Sequence, residues 1–266
     1  MLVARRLRKV PSAPSAWNLG ERWFVLSLPG HAAERRKRFY AEVAARPTDG
    51  GFAVQLDGRT PRAPDGRALE APTQALADLI AAEWAAQGEE ILPSTMPATK
   101  LAWAALSMDE IGARRGAVDR IAAFAGSDLL CYFADGPAGL VERQERRWGP
   151  VIEWAERLIG VRFQRAQGIV HQPQPEEAIV ALSALASAES DFALAALAAA
   201  TALFGSAILA LALRRGQLTA EAAFDLSRLD ETFQEERWGV DAEAAARAEA
   251  MATEAVMLGR WFEALG

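Results

Sequence analysis

Residues 192 to 213, FALAALAAATALFGSAILALAL, run for 22 positions without a single charge. A stretch of that length and polarity either spans a bilayer or is surrounded by protein on every side. Ten of the 22 residues are alanine, and Thr201, Gly205 and Ser206 interrupt the run. The expectation is therefore a central buried helix, with a membrane anchor as the competing reading. A helix that is apolar all round needs a shell of other helices, and the composition supplies one. Alanine accounts for 58 of the 266 residues, and it loses no side-chain entropy in a helix. At this length a chain buries about three quarters of its unfolded surface, so it needs neither metal nor disulfide to hold a core.

The same composition excludes several kinds of chemistry. Cys131 is the only cysteine and His31 and His171 are the only histidines, so no internal disulfide, thiol pair or histidine-rich zinc site can form. No cofactor or metal is expected. The net charge is −6, with no basic cluster beyond short N-terminal runs, which is a poor platform for a polyanion; nucleic acid is not an expected partner. None of the three lysines, Lys9, Lys37 and Lys100, sits in a Gly-Lys-Ser or Gly-Lys-Thr loop, which excludes a P-loop nucleotidase. No Gly-x-Ser-x-Gly elbow occurs, and Cys131 lies in the apolar run Leu129 to Phe133, where packing is its expected role.

Residues 1–30 hold Arg5, Arg6, Arg8, Lys9 and Arg22 against Glu21 alone, without the continuous apolar region of a secretory signal. They read as a flexible N-terminal arm. After it, Phe52, Val54 and Leu56 alternate as in a strand and lead into the turn Asp57-Gly58; Pro61 and Pro64 then limit ladder pairing to an edge or a loop, and Asp65-Gly66 offers a second turn before the short run Ala68 to Ala71. From Thr73 the period changes to that of helices. These are expected at 73–87, 98–111, 114–125, 138–159, 175–188, 191–214, 219–238 and 241–264, with short extended pieces at 161–163 and 168–170. The fold class is α+β: a small N-terminal α+β domain with β-hairpins over residues 31–113, then an all-helical C-terminal domain over 114–266.

One helix departs from what packing alone requires. Within 221–239, read as a single helix, Ala222, Leu226, Leu229 and Phe233 form a core stripe. Phe224, Ser227, Glu231, Gln234, Glu235 and Trp238 gather on another flank, where two large aromatics accompany two carboxylates and an amide. Such a flank either packs its aromatics under neighbouring helices or binds a partner through them, the carboxylates selecting arginine or lysine opposite. Asp230 and Glu231 point 100° apart and are poorly placed as an acid/base pair. Two indoles at Trp148 and Trp154, around Gly149-Pro150, either staple helices together or form a surface anchor.

Taken in order, the motifs resemble a known family. Arg38-Phe39-Tyr40, Leu56-Asp57-Gly58-Arg59, Pro72 with Glu83-Trp84, and Pro93-Ser94-Thr95-Met96-Pro97-Ala98-Thr99 are similar to the N-terminal half of the Atp-twelve family of ATP synthase assembly chaperones. Asp128 to Tyr132, Gln144 with Trp148-Gly149-Pro150 and Trp154, Gly205-Ser206, and Ser227 to Glu231 through Phe233-Gln234 to Trp238-Gly239 are similar to its C-terminal half. The resemblance covers residues 37 to 240. The block reads Asp230-Glu231 where paired glutamates are expected.

The resemblance implies a non-enzymatic chaperone that binds the free α subunit of the synthase's catalytic head and shields its β-subunit interface until β displaces it. It also implies no stable membrane insertion, and a place in the cytoplasm of an α-proteobacterium or in the mitochondrial matrix. Carried onto this chain, the partner-binding residues are Glu231, Gln234, Glu235, Trp238 and Phe224. The alternative function is a small helical-bundle enzyme with a carboxylate-lined pocket.

Overall fold

A computed structural model describes residues 36–63, 66–168 and 170–266. The arm expected at 1–30, His31, Pro64, Asp65 and Ile169 lie outside the described residues. The chain opens on β1 (Arg36–Lys37), followed by the hairpin β2 (Val43–Thr48) and β3 (Gly51–Leu56), to which β4 (Glu70–Ala71) adds an antiparallel edge. Asp57 takes φ 48 and Gly58 φ 75, which closes the tight turn between Leu56 and Arg59 that the Asp-Gly pair announces. Asp57 also accepts from the backbone N–H of Ala41 and Glu42, tying this turn to the entry of β2.

α1 (Gln74–Ala85) starts at Thr73, whose hydroxyl caps Leu76 N–H at 3.2 Å, and packs Leu76, Ile80 and Trp84 on the hairpin. β5 (Glu90–Ile91) returns to pair with β1. A 3-10 turn at Pro93–Thr95 then leads to α2 (Pro97–Leu106), with Pro97 in its first turn. Glu83 holds that start in place: its carboxylate accepts from the N–H of Ala98 and Thr99 and from the Thr99 hydroxyl, at 2.7 to 2.8 Å. Gln87 is bound to Glu83 O, Thr95 Oγ1 and Leu92 N–H. The widely spaced Glu-Trp and Pro-x-x-x-Pro motifs are thus one hydrogen-bonded unit. α2 stops at Leu106, short of the expected 111, where the Ser107 hydroxyl bonds back to Trp103 O.

The remaining elements are α3 (Ala113–Ala125), a 3-10 turn at Leu129–Cys131, β6 (Tyr132–Phe133), α4 (Ala138–Ile159), β7 (Ala166–Gln167), α5 (Glu176–Ser187), α6 (Asp191–Phe204), α7 (Ala207–Arg214), α8 (Ala220–Ser227), α9 (Leu229–Trp238) and α10 (Ala242–Leu265). β6 and β7 pair in parallel, and the extended pieces expected at 161–163 and 168–170 are replaced by β7 between them.

The uncharged run is two helices, not one. Gly205 takes φ 64 and ends α6; the Ser206 hydroxyl then caps Leu209 N–H and starts α7. Beneath the break lies Asp128, fully buried, accepting from Ser206 Oγ at 2.6 Å, Ile208 N at 3.0 Å and Leu130 N at 3.1 Å. Every residue of α7 except Arg214 is buried, and α6 is in contact with α2, α3, α5, α7, α8 and α10, so the pair forms the centre of the molecule. Among the described residues no helix is long and apolar enough to cross a membrane.

Candidate partner-binding site

The stretch 219–238 is likewise divided. Trp148, buried in the middle of α4, donates its indole N–H to Leu226 O at 3.0 Å, and Ser227 Oγ bonds to Phe224 O at 2.7 Å. These contacts take up carbonyls at the end of α8, and Arg228, at φ −111 and ψ 18, separates α8 from α9. The break shifts the phase. The buried residues are Ala220, Ala223 and Leu226, then Leu229 and Phe233, so Ala223 replaces the expected Ala222 in the core stripe. Phe224 stays on α8 with its ring packed partly against the core, and the single continuous flank does not form.

On α9 most side chains are pinned. Asp230, half-buried, accepts from Gln144 Nε2 at 2.8 Å, while Gln144 Oε1 takes Ala134 N–H. Burial, more than the neighbouring Glu231 charge, pushes the Asp230 carboxyl up, and the Gln144 bond opposes the shift. Glu235 is bound to Arg228 at 2.6 Å. Glu236 takes both guanidinium nitrogens of Arg143, at 2.9 and 2.8 Å, and that pairing lowers the Glu236 carboxyl. Arg143 and Arg237 lie over the Phe233 ring, 5.0 and 4.2 Å from its centroid.

Four side chains escape this network: Thr232, and three that stand together on another face. Glu231, Gln234 and Trp238, spaced at i, i+3 and i+7, share one face of α9. All three are exposed, and none has a hydrogen bond or ion pair among the described residues. Trp238 is 76% exposed and is followed by Val240 at 54%. Of the five residues singled out from the sequence, then, three form a free stripe, Glu235 is tied to Arg228, and Phe224 sits on the preceding helix. Of the anchors, Gln144 and Arg228 stood in the sequence only within the motif blocks, and Arg143 was not singled out, because its partner Glu236 lies 93 residues away.

Two clefts lie elsewhere. One of about 510 Å³ is bounded by Arg214, Glu221, Arg260, Phe262 and Glu263; another of about 540 Å³ is bounded by Lys37, Arg38, Tyr40, Glu89 and Glu90. No α9 residue lines either. Cys131 is buried, which pushes its thiol up and keeps it protonated.

Comparison with known proteins gives these features a context. A family model described as ATP12 chaperone protein matches residues 37–156. The crystal structure of Atp12 from Paracoccus denitrificans is 37% identical and superposes with a TM-score of 0.79, covering 86% of this chain and 98% of its own. The Atu1473 protein of Agrobacterium tumefaciens is also 37% identical, with a TM-score of 0.84 over 94% of this chain and 99% of its own. The chain belongs to the ATP12 chaperone family. Mitochondrial atp12 of Schizosaccharomyces pombe is 26% identical over 219 residues, 76% of this chain and 74% of that protein. As an ATP12 family member the chain is a chaperone of ATP synthase assembly and not an enzyme, so the enzyme alternative is set aside. The ATP12 family model ends within α4 and takes in the Glu83, Asp128, Gln144 and Trp148 scaffold; α9 lies beyond it.

Proposed function

We propose that this ATP12 chaperone holds the free α subunit of the F-type synthase head and covers the surface that β later takes, with α9 as the contact. The observation that carries this reading is the stripe of Glu231, Gln234 and Trp238, left unpaired on a helix whose other carboxylates, Asp230, Glu235 and Glu236, are each bound. An aromatic anchor beside a free carboxylate suits a client that exposes apolar surface and a basic side chain until its true partner arrives. Glu231 ranks first, then Gln234, Glu235, Trp238 and Phe224. Bacterial cytoplasm, or the mitochondrial matrix in a eukaryote, is the compartment where such a client is made or folded.

The test is co-expression with the synthase α subunit of the same genome, followed by size-exclusion chromatography, with β absent and then added. A soluble complex that β displaces supports the reading; α that aggregates as it does alone would sink it. Glu231→Lys is expected to weaken capture, by about 2 to 5 kcal/mol if the carboxylate meets a basic residue at a desolvated centre. Its melting temperature should stay close to that of the parent, since Glu231 holds nothing in place.

A further inference from the structure

From Gln234 to Ala250 no residue is buried. The stretch comprises the end of α9, the elbow Gly239 to Asp241, and the first turns of α10. α10 runs through 13 residues, about 20 Å at 1.5 Å per residue, before its first buried side chain, Ala255. α9 packs on α4, whereas α10 packs on α1, α2, α6, α7 and α8, and the two are not packed along each other. Asp241 caps α10 through Glu243 N–H and Ala244 N–H, so this emergent segment is a started, ordered helix.

Its charge is as uneven as its packing. Residues 229 to 250 hold seven acidic and two basic side chains; Glu235, Glu236 and Glu243 are paired with Arg228, Arg143 and Arg247, which leaves Asp230, Glu231, Asp241 and Glu249 without a basic partner among the described residues. At the bend stand two exposed large apolar side chains, Trp238 and Val240. The Glu249 carboxylate on α10, like that of Glu231 on α9, has no hydrogen bond or ion pair among the described residues. Exposed apolar anchors beside an excess of unpaired carboxylates select an occupant that is cationic and carries a bulky apolar side chain of its own.

We infer that the α9–α10 elbow is a two-sided dock, in which Trp238 and Val240 seat an apolar side chain of a basic segment of the client while Glu231 and Glu249 face its cations from two helices. The inference rests on the α-subunit reading above and extends the contact from one helix face to the free beginning of α10. The alanine-rich start of α10 buries nothing in the free chain, and side chains that small let an incoming segment approach closely.

The experiment uses the full chain with the synthase α subunit as probe. Hydrogen exchange is followed over 238–250 in the free chaperone and in the α complex, and capture is measured for Trp238→Ala/Val240→Ser and for Glu249→Lys. Expected are slowed exchange across 238–250 on binding, and affinity lower by about tenfold or more for each variant, with the charge-reversed one also losing much of the salt dependence. Wild-type complex formation with unchanged exchange over 238–250, or capture within about twofold of wild type by both variants, overturns the dock and leaves the α9 reading standing. Absence of any wild-type complex overturns both.

Discussion

Asp128 is a carboxylate with no access to water, held by the Ser206 hydroxyl and by the N–H groups of Leu130, Ala207 and Ile208. Burial outweighs those bonds and pushes its pKa up to about 6, from 3.8. Glu254, half-buried on α10, is raised to about 7 by the same cause against the attraction of Lys100. A folded pKa above the unfolded one means that the folded chain binds a proton the unfolded chain has released. The stabilisation is complete below the unfolded pKa and is lost as pH rises through the folded one. For Asp128 the difference amounts to about 3 kcal/mol. The melting temperature should therefore climb as pH falls from about 7 to about 4, with Glu254 governing the upper part of the window and Asp128 the lower. Glu254→Gln removes the upper part: it should melt higher than wild type at pH about 8 and equal to it only near 4, below the unfolded pKa of a glutamate. A variant less stable than wild type at the higher pH would show that the Lys100 attraction, not burial, decides. Asp128→Ala should cost several kcal/mol at any pH in this range, because three or more buried donors lose their acceptor.

At the scale of elements, what the sequence made legible was periodicity, and what it hid was interruption. Helix α4 was expected at 138–159 and spans Ala138–Ile159, and the Thr73 cap and Pro97 start were readable because each depends on residues within a turn. The breaks at Gly205 and Arg228 were read through, since their causes are distant: Asp128 lies 78 residues from Ser206, and Trp148 lies 78 from Leu226. Of the candidate site, Glu231, Gln234 and Trp238 were legible as a stripe, whereas the pairing that removes Glu235 from it depends on Arg228 standing at the break. The crossing of α8 and α10 shows the same non-local logic. A Cβ on Gly259 would come within 2.9 Å of Ala220 Cβ. Gly259→Ala gains up to about 1 kcal/mol of helix propensity but overpacks this contact by about 1 to 3 kcal/mol. A net loss of stability is expected in urea melts, and Ala220→Gly in the same chain should recover part of it. A double-mutant cycle with no coupling would mean that the helices separate freely at that point.

For the whole molecule, the question is whether the proposed regions 31–113 and 114–266 act separately. The link between α2 and α3 is open: Ile111 is fully exposed and Gly112 takes φ 83. Yet the apolar cluster is continuous from Tyr40 on the N-terminal side to Phe262 at the far end of the chain. α10 crosses back over α1, where the Thr73 hydroxyl donates to Ala264 O at 2.6 Å, and α2 lies against α6. A boundary with a shared core is easy to cut and hard to pull apart. Limited proteolysis should therefore cleave within 107–112, and the two fragments should still elute together and unfold in one transition. Fragments that separate in native buffer would establish two independent domains. The outcome bears on the chaperone's task, because an elbow raised on a single cooperative body resists the client rigidly. The same elbow on a loosely tethered domain would have its binding weakened by the motion that capture must stop.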